Sequence, residues 1–160
     1  MMQHSQGEQA PLRTLSIRLE PTPFGALVRL LVAGKDVLAA TGNDEPNVAS
    51  DILATGAMLP VDPPRRVALY GCGCGIFRCA NVAVLISQQG NTVSWSNAMS
   101  VTGEYGSALH GDSEQVPDPV ALLGDDAFLA HDLHLPTISF AADQYPAEVN
   151  RATAEAKALG

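Results

Sequence analysis

Apolar and polar residues alternate near the start of the chain. Leu15, Ile17 and Leu19 fall on one face of an extended segment and polar side chains on the other, which predicts a half-buried strand over 12–20. Pro21 comes directly after it, and because proline has no N–H to give to a strand ladder, we expect the strand to end there.

A second apolar run covers 24–33 and is predicted to pair back on the first strand. A short strand at 37–39 would then complete an antiparallel meander. Beyond the next turn, Asp44 or Asn47 is a candidate N-cap for a short helix near 47–57.

The middle of the chain has the most regular pattern. Val82, Val84 and Ile86 alternate with Ala83 and Leu85, so both faces are apolar, which is typical of a central strand covered on both sides.

Strands are predicted on either side of this central strand. Residues 66–70 form a short apolar strand before it, and a hairpin turn at 89–91 leads into a return strand over 92–97. Trp95 is predicted to lie in the core with its N–H hydrogen bonded.

The pattern weakens over 98–124, which is predicted to be a long loop or short broken elements. One more strand is expected at 135–140. A helix is then predicted from Asp143, with an apolar face at helical spacing formed by Tyr145, Val149, Ala152, Ala156 and Leu159.

These elements predict an α+β fold. We expect a flexible tail over 1–11 and one domain over 12–160, built from a mostly antiparallel sheet of about five to seven strands. A C-terminal helix and the short helix near 47–57 would pack on that sheet.

Length and composition agree with a single globular domain. The chain has 160 residues, of which 46% are hydrophobic and 16% charged. It contains no apolar window long enough to cross a bilayer, and its N-terminus lacks the pattern of a signal peptide. A cytoplasmic location without membrane association is therefore expected.

The charge is unevenly distributed. The chain carries 17 acidic and nine basic residues, and acids and bases balance over 1–103, so the whole excess lies in the remainder. The region 104–148 contains no Lys or Arg. A field of this sign repels phosphate backbones and excludes direct nucleic-acid binding, but it would attract a basic protein partner.

Three cysteines form the most distinctive motif, a glycine-rich turn with Cys72, Cys74 and Cys79. Thiolates presented this way could bind zinc, with His131 or His134 as a fourth ligand, because zinc prefers tetrahedral sulfur and nitrogen donors. The same cysteines could instead be buried structural thiols, which is the interpretation we favour, or redox-active thiols.

The cysteine motif and the strands after it resemble a group of small bacterial proteins, commonest in actinobacteria. In these proteins a C-x-C-G-x4-C turn precedes a strand, a hairpin and a V-x-W-x-[DN] strand. Here Cys72 and Cys79 belong to the turn, and Trp95 belongs to the last strand. A late phenylalanine then leads into a tyrosine-containing helix, matched by Phe140 and Tyr145. The resemblance implies that the cysteine turn is a defining element, and it carries over no activity.

These features are compatible with two functions of different classes. The first is a non-enzymatic binding protein, immunity- or antitoxin-like, which holds a basic protein through its acidic 104–148 region and has a structural cysteine turn. The second is a zinc- or thiol-dependent enzyme using Cys72, Cys74 and Cys79 with His131 or His134.

Overall fold

The computed structural model describes residues 11–39, 45–71, 81–101 and 130–159. Within these ranges the chain is α+β, as predicted, and no helix there is long and apolar enough to cross a membrane. The predicted tail, 1–11, falls outside the described residues except for Pro11. The elements in chain order are β1 (Leu12–Arg13), β2 (Leu15–Thr22), β3 (Gly25–Val32), β4 (Glu45–Pro46), α1 (Ala49–Ile52), β5 (Arg65–Gly71), β6 (Asn81–Gln89), β7 (Thr92–Val101), β8 (Ala130–Asp132), β9 (Ile138–Ala141) and α2 (Gln144–Leu159).

The strands form two sheets. The main sheet has the order β1-β9-β7-β6-β5-β4, and β8 pairs with β7 next to β9. All its pairs are antiparallel except β1 with β9, so the predicted mostly antiparallel sheet is confirmed. The predicted strand count is only partly matched, because β2 and β3 pair with each other in a separate two-stranded sheet.

The first predicted strand is divided between the two sheets. Leu12 and Arg13 pair with β9, whereas pairing with β3 begins at Leu15. The chain therefore passes from one sheet to the other at Thr14, whose carbonyl accepts a hydrogen bond of 2.9 Å from the N–H of Ala33. The predicted return of 24–33 onto this segment is confirmed.

The predicted third strand at 37–39 is wrong. Val32 and Lys35 exchange backbone hydrogen bonds of 2.8 and 3.0 Å, which closes a tight turn directly after β3. The Asp36 carboxylate then accepts a hydrogen bond of 3.1 Å from the N–H of Ala39. Such a side-chain bond to the local backbone competes with strand pairing.

The short helix is much shorter than 47–57, since α1 has only four residues. Its N-cap is Val48, which makes no side-chain cap bond, and Asp44 lies outside the described residues. Asn47 does not cap the helix because its amide donates to carbonyls of β5 instead. The chain then turns at Gly56, which has a φ of 75°.

The C-terminal half contributes an aromatic cluster to the core. Trp95 on β7, Phe140 on β9 and Tyr145 on α2 lie with ring centroids 4.9 to 6.3 Å apart. The Trp95 N–H donates to the Tyr145 hydroxyl over 3.0 Å, and that hydroxyl donates to the carbonyl of Met58 over 2.8 Å. The predictions that Trp95 is in the core and that Tyr145 lies on the inner face of the last helix are confirmed.

Side chains of α2 complete the exposed edge of β2. The Gln144 amide both accepts from the N–H of Leu15, over 3.0 Å, and donates to its carbonyl, over 2.8 Å. Glu148 accepts from the N–H of Ile17 over 2.7 Å, and Arg151 donates to the Ile17 carbonyl over 2.8 Å. The helix thereby supplies the hydrogen bonds that a neighbouring strand would make.

Candidate functional site

One end of the main sheet is where the chemistry-bearing segments of the chain meet. Five strands end there in one continuous row of paired residues, Glu45, Gly71, Asn81, Val101 and Ala130, which we call the end row. With neighbouring strands about 4.8 Å apart, the row is about 19 Å wide.

Three connections join strands at this end row. Residues 40–44 lead into Glu45, residues 72–80 join Gly71 to Asn81, and residues 102–129 join Val101 to Ala130. These three segments themselves lie outside the described residues. Each of these segments is nevertheless covalently attached to the end row, because at least one of the residues that flank it belongs to the row.

The predicted cysteine site falls on the second connection. Cys72, Cys74 and Cys79 are outside the described residues, so the metal and thiol interpretations of the motif stay predictions. Cys72 comes directly after Gly71, and Cys79 comes two residues before Asn81, the Cα partner of Gly71. The two outer cysteines are therefore tied to adjacent strands.

The structure separates the two histidines that were proposed as a fourth ligand. His131 lies on β8 one residue from the end row, where it pairs with Ser100. His134 lies beyond β8, on the side away from the row, because the N–H of Leu133 already bonds to the carbonyl of Ala98. Its backbone has a φ of 57°, and its side chain is exposed.

A local contact explains the position of His134. The Asp132 carboxylate accepts a hydrogen bond of 2.6 Å from the N–H of His134 and lies 3.7 Å from its Nδ1. This is a side-chain turn of the kind that Asp commonly forms, and it directs the chain back toward β9. Of the two histidines, only His131 lies next to the row.

Tyr70 fixes the end of β5 just before the cysteine segment. Its hydroxyl donates to the Asp36 carboxylate over 2.9 Å and accepts from the N–H of Leu30 over 2.8 Å. Arg29 lies 3.2 Å from the same carboxylate, and its guanidinium carbon is 5.6 Å from the centre of the Tyr70 ring. Burial raises the pKa of Tyr70, so its hydroxyl remains a hydrogen-bond donor at physiological pH.

Asn47, which follows β4, also stabilises β5. The register of β5 against β6 shifts between Ala68 and Tyr70, which is a bulge. The Asn47 amide donates to the carbonyls of Ala68 and Leu69 over 2.9 and 3.0 Å. The bulge is thus satisfied by a side chain, and β5 reaches the end row in a defined register.

A buried arginine on β5 supports β6 and β7 farther from the end row. Arg66 is 1% exposed and donates to the carbonyl and the side-chain oxygen of Asn97, the first over 2.7 Å. It also donates to the carbonyl of Ala83 over 3.3 Å, next to the bulge between Ala83 and Leu85. Sequence reasoning missed Arg66, Tyr70 and Asp36 as supports of the row, because their partners are distant in sequence.

In its described part, the chain holds no group of three or more His, Cys, Asp or Glu residues that could bind a metal. No protein-family model matches the chain, and searches of curated proteins and of solved structures found no match either. The end row and the segments that the sequence attaches to it are therefore the candidate functional site.

Proposed function

We propose that this chain is a non-enzymatic binding protein that holds a basic protein partner at the end row, in the manner of an immunity protein or antitoxin. One observation carries the proposal. The connection 102–129 contains six acidic residues and no Lys or Arg, and it begins and ends on adjacent strands of the row.

The first connection and the row itself add to this charge. Asp44 and Glu45 lie at the end of the first connection, and Glu45 is exposed. Against these two acids and the six of 102–129, the three connections contain a single base, Arg78. Opposite charge accelerates encounter and fixes orientation, and its contribution weakens as salt screens it.

Of the predicted acidic surface 104–148, we assign only a part to the partner. Glu148 pairs with Arg151 at 2.9 Å and also holds the edge of β2, and Asp132 accepts a hydrogen bond from the N–H of His134. Asp143 lies between β9 and α2, away from the row. These carboxylates serve the fold or lie elsewhere, so the acids tethered to the end row are the ones we assign to the partner.

Two sets of substitutions with equal charge change test the proposal. The first converts Asp118, Asp125 and Asp126 to Asn, and the second, a matched control, converts Asp51, Asp62 and Asp143 to Asn. Each immobilised protein is exposed to an extract of the native host at low and at high salt, and retained proteins are identified by mass spectrometry.

We expect the wild type and the control set to retain the same basic protein at low salt and to release it at high salt. The set at the end row should lose it at low salt. Equal retention by both variant sets, retention that salt does not change, or capture of acidic proteins only would contradict the proposal.

Zinc binding is the second candidate function, and a specific observation favours it. The strands that carry the ends of the cysteine segment, β5 and β6, and the strand that carries His131, β8, all meet the end row. A site with three cysteines and one histidine would draw its ligands from this end. If bound, zinc would order the connections there or activate a water molecule.

The two histidines make a matched pair for testing this function. Protein purified without chelator is analysed for metal, together with His131→Ala, His134→Ala and Cys72→Ser. A zinc site at the row predicts about one equivalent in the wild type and in His134→Ala, and a strong loss in the other two. Metal-free wild type whose thiols do not react in the native state would end the zinc proposal and leave the binding proposal standing.

A further inference from the structure

A groove separate from the end row lies between the β2–β3 hairpin and the end of α2. The turn between β2 and β3 forms one wall, α1 and the residues around it form the floor, and the last turns of α2 form the other wall. The cavity has a volume of about 290 Å³, which is at the lower limit of ligand pockets.

The walls of the groove are largely apolar. They include Pro21, Ala26, Val48, Leu53, Ala156 and Leu159. Leu159 is 52% exposed, so this apolar surface is accessible rather than closed over. An alkyl chain placed along it would be removed from water together with the walls that it covers.

The charge in the groove has the opposite sign to the net charge of the chain. Among the described residues that line it, none is acidic and Lys157 is the one charged group. Lys157 forms no ion pair within the described part of the chain, whereas Arg151, earlier on the same helix, is held by Glu148 and Glu155. In a chain of net charge −8, this is a local site for an anion.

The hydroxyl groups of the lining add little charge selectivity. Thr22 and Thr153 are bonded to backbone carbonyls at 2.6 and 2.7 Å, so both hydroxyl protons are already used. The features that remain for recognition are the apolar walls, the hydroxyl group of Ser50 and the ammonium group of Lys157.

From these features we propose that the groove binds an amphiphilic acid, a free carboxylic acid with an alkyl chain. The chain lies between the hairpin and α2, and the carboxylate pairs with Lys157. The charge complementarity with Lys157 selects this ligand over a cationic amphiphile, and the size of the cavity limits it to a medium-length chain.

Binding is measured by calorimetric titration with decanoate below its micelle-forming concentration, with decyltrimethylammonium as the probe of opposite charge. Lys157→Met removes the ammonium group, and Lys35→Met, at the other lysine of the chain, is its control. Ala156→Phe fills the groove from the wall formed by α2 and Ala54→Phe fills it from the floor, and Ala154→Phe, on an exposed face of α2, controls for the added ring. Circular dichroism checks that each variant is folded.

We expect one decanoate per chain. Lys157→Met should weaken its binding by up to about fivefold, the range of an exposed ion pair, and Lys35→Met should not. Either groove-filling variant should abolish binding, whereas Ala154→Phe should retain it. The two filling variants lie on different elements, so a folding defect in one does not remove the test.

Several results would overturn the inference. They are decanoate binding that survives both groove-filling variants, decyltrimethylammonium that binds as tightly as decanoate, and wild type that does not bind decanoate. Self-association that Phe24→Ser abolishes and decanoate does not reverse would assign the groove to a second copy of the chain, since Phe24 is 92% exposed on the adjacent turn. None of these outcomes bears on the partner at the end row.

Discussion

The two ends of the main sheet are built in contrasting ways. At one end, β6 and β7 are joined by a tight turn at Gly90 and Asn91, and the carbonyl of Asn91 accepts from the N–H of Ala142 over 2.9 Å. We call this the closed end. At the other end, about 26 Å away along β6, the connections between β5 and β6 and between β7 and β8 have nine and 28 residues.

The contrast separates the contacts that stabilise the fold from the segments that we propose to bind a partner. The closed end lies beside the cluster of Trp95, Phe140 and Tyr145, and its β6–β7 turn is bonded to the residue that follows β9. The end row carries the cysteines and most of the acidic excess on its connections. Binding residues are commonly found on loops held by a rigid scaffold, and here the scaffold and the loops occupy opposite ends of the same strands.

The largest expected effect is at the closed end. Phe140→Ala removes a fully buried ring that contacts both Trp95 and Tyr145, so we expect the free energy of unfolding to fall by about 3–5 kcal/mol. Chemical denaturation measures it. Phe24→Ala, the same substitution at a 92% exposed position, is the control and should change stability by less than about 0.5 kcal/mol. Similar losses at the two positions would contradict the role of this cluster in stability.

A smaller effect is expected when only the hydroxyl of the cluster is removed. Tyr145→Phe keeps the ring but leaves the Trp95 N–H without its acceptor and the Met58 carbonyl without its donor. Buried polar groups without partners cost about 1–3 kcal/mol, and we expect stability to fall within that range. A denaturation midpoint equal to that of the wild type would show that water replaces the hydroxyl.

The sequence predicted the closed end better than the end row, for physical reasons. Alternation along β6 and β7 and the helical spacing of α2 are local signals, and burial of Trp95 and Tyr145 follows from them. The support of the row depends on contacts such as Tyr70 with Asp36 and Arg66 with Asn97, which join residues 34 and 31 positions apart. Local patterns carry no information about such pairs.

The wrong predictions have the same cause, because local patterns do not report tertiary contacts. The strand predicted at 37–39 has an acceptable apolar pattern, but the Asp36 side chain bonds to its backbone. Likewise Asn47 is a suitable helix cap by residue type, but the bulge in β5 uses its amide. In both cases a polar side chain had two possible backbone partners, and the tertiary structure decided between them.

The pH dependence of stability tests whether Glu148 serves the fold rather than the acidic surface. The hydrogen bond from Arg151 lowers the pKa of Glu148, and the N–H of Ile17 acts in the same direction. A carboxyl with a lower pKa in the folded state stabilises the protein above its unfolded pKa and loses that contribution as the pH falls through the folded value. We therefore expect Glu148→Gln to destabilise the protein at neutral pH and to reduce the loss of stability on acidification. Parallel curves of stability against pH for the variant and the wild type would contradict this role.

The smallest change in stability is expected at the end row itself. Glu45 lies in the row on an edge strand of only two residues and is itself exposed, so Glu45→Gln should change the free energy of unfolding by less than about 0.5 kcal/mol. The same variant should retain less of the basic partner at low salt, because it removes one charge from the proposed surface, and Asp62→Asn should retain as much as the wild type. A stability loss above about 1 kcal/mol would give the row a structural role and remove the contrast between the two ends. Unchanged stability together with reduced capture would support that contrast, because the Glu45 side chain would then contribute to binding and not to folding.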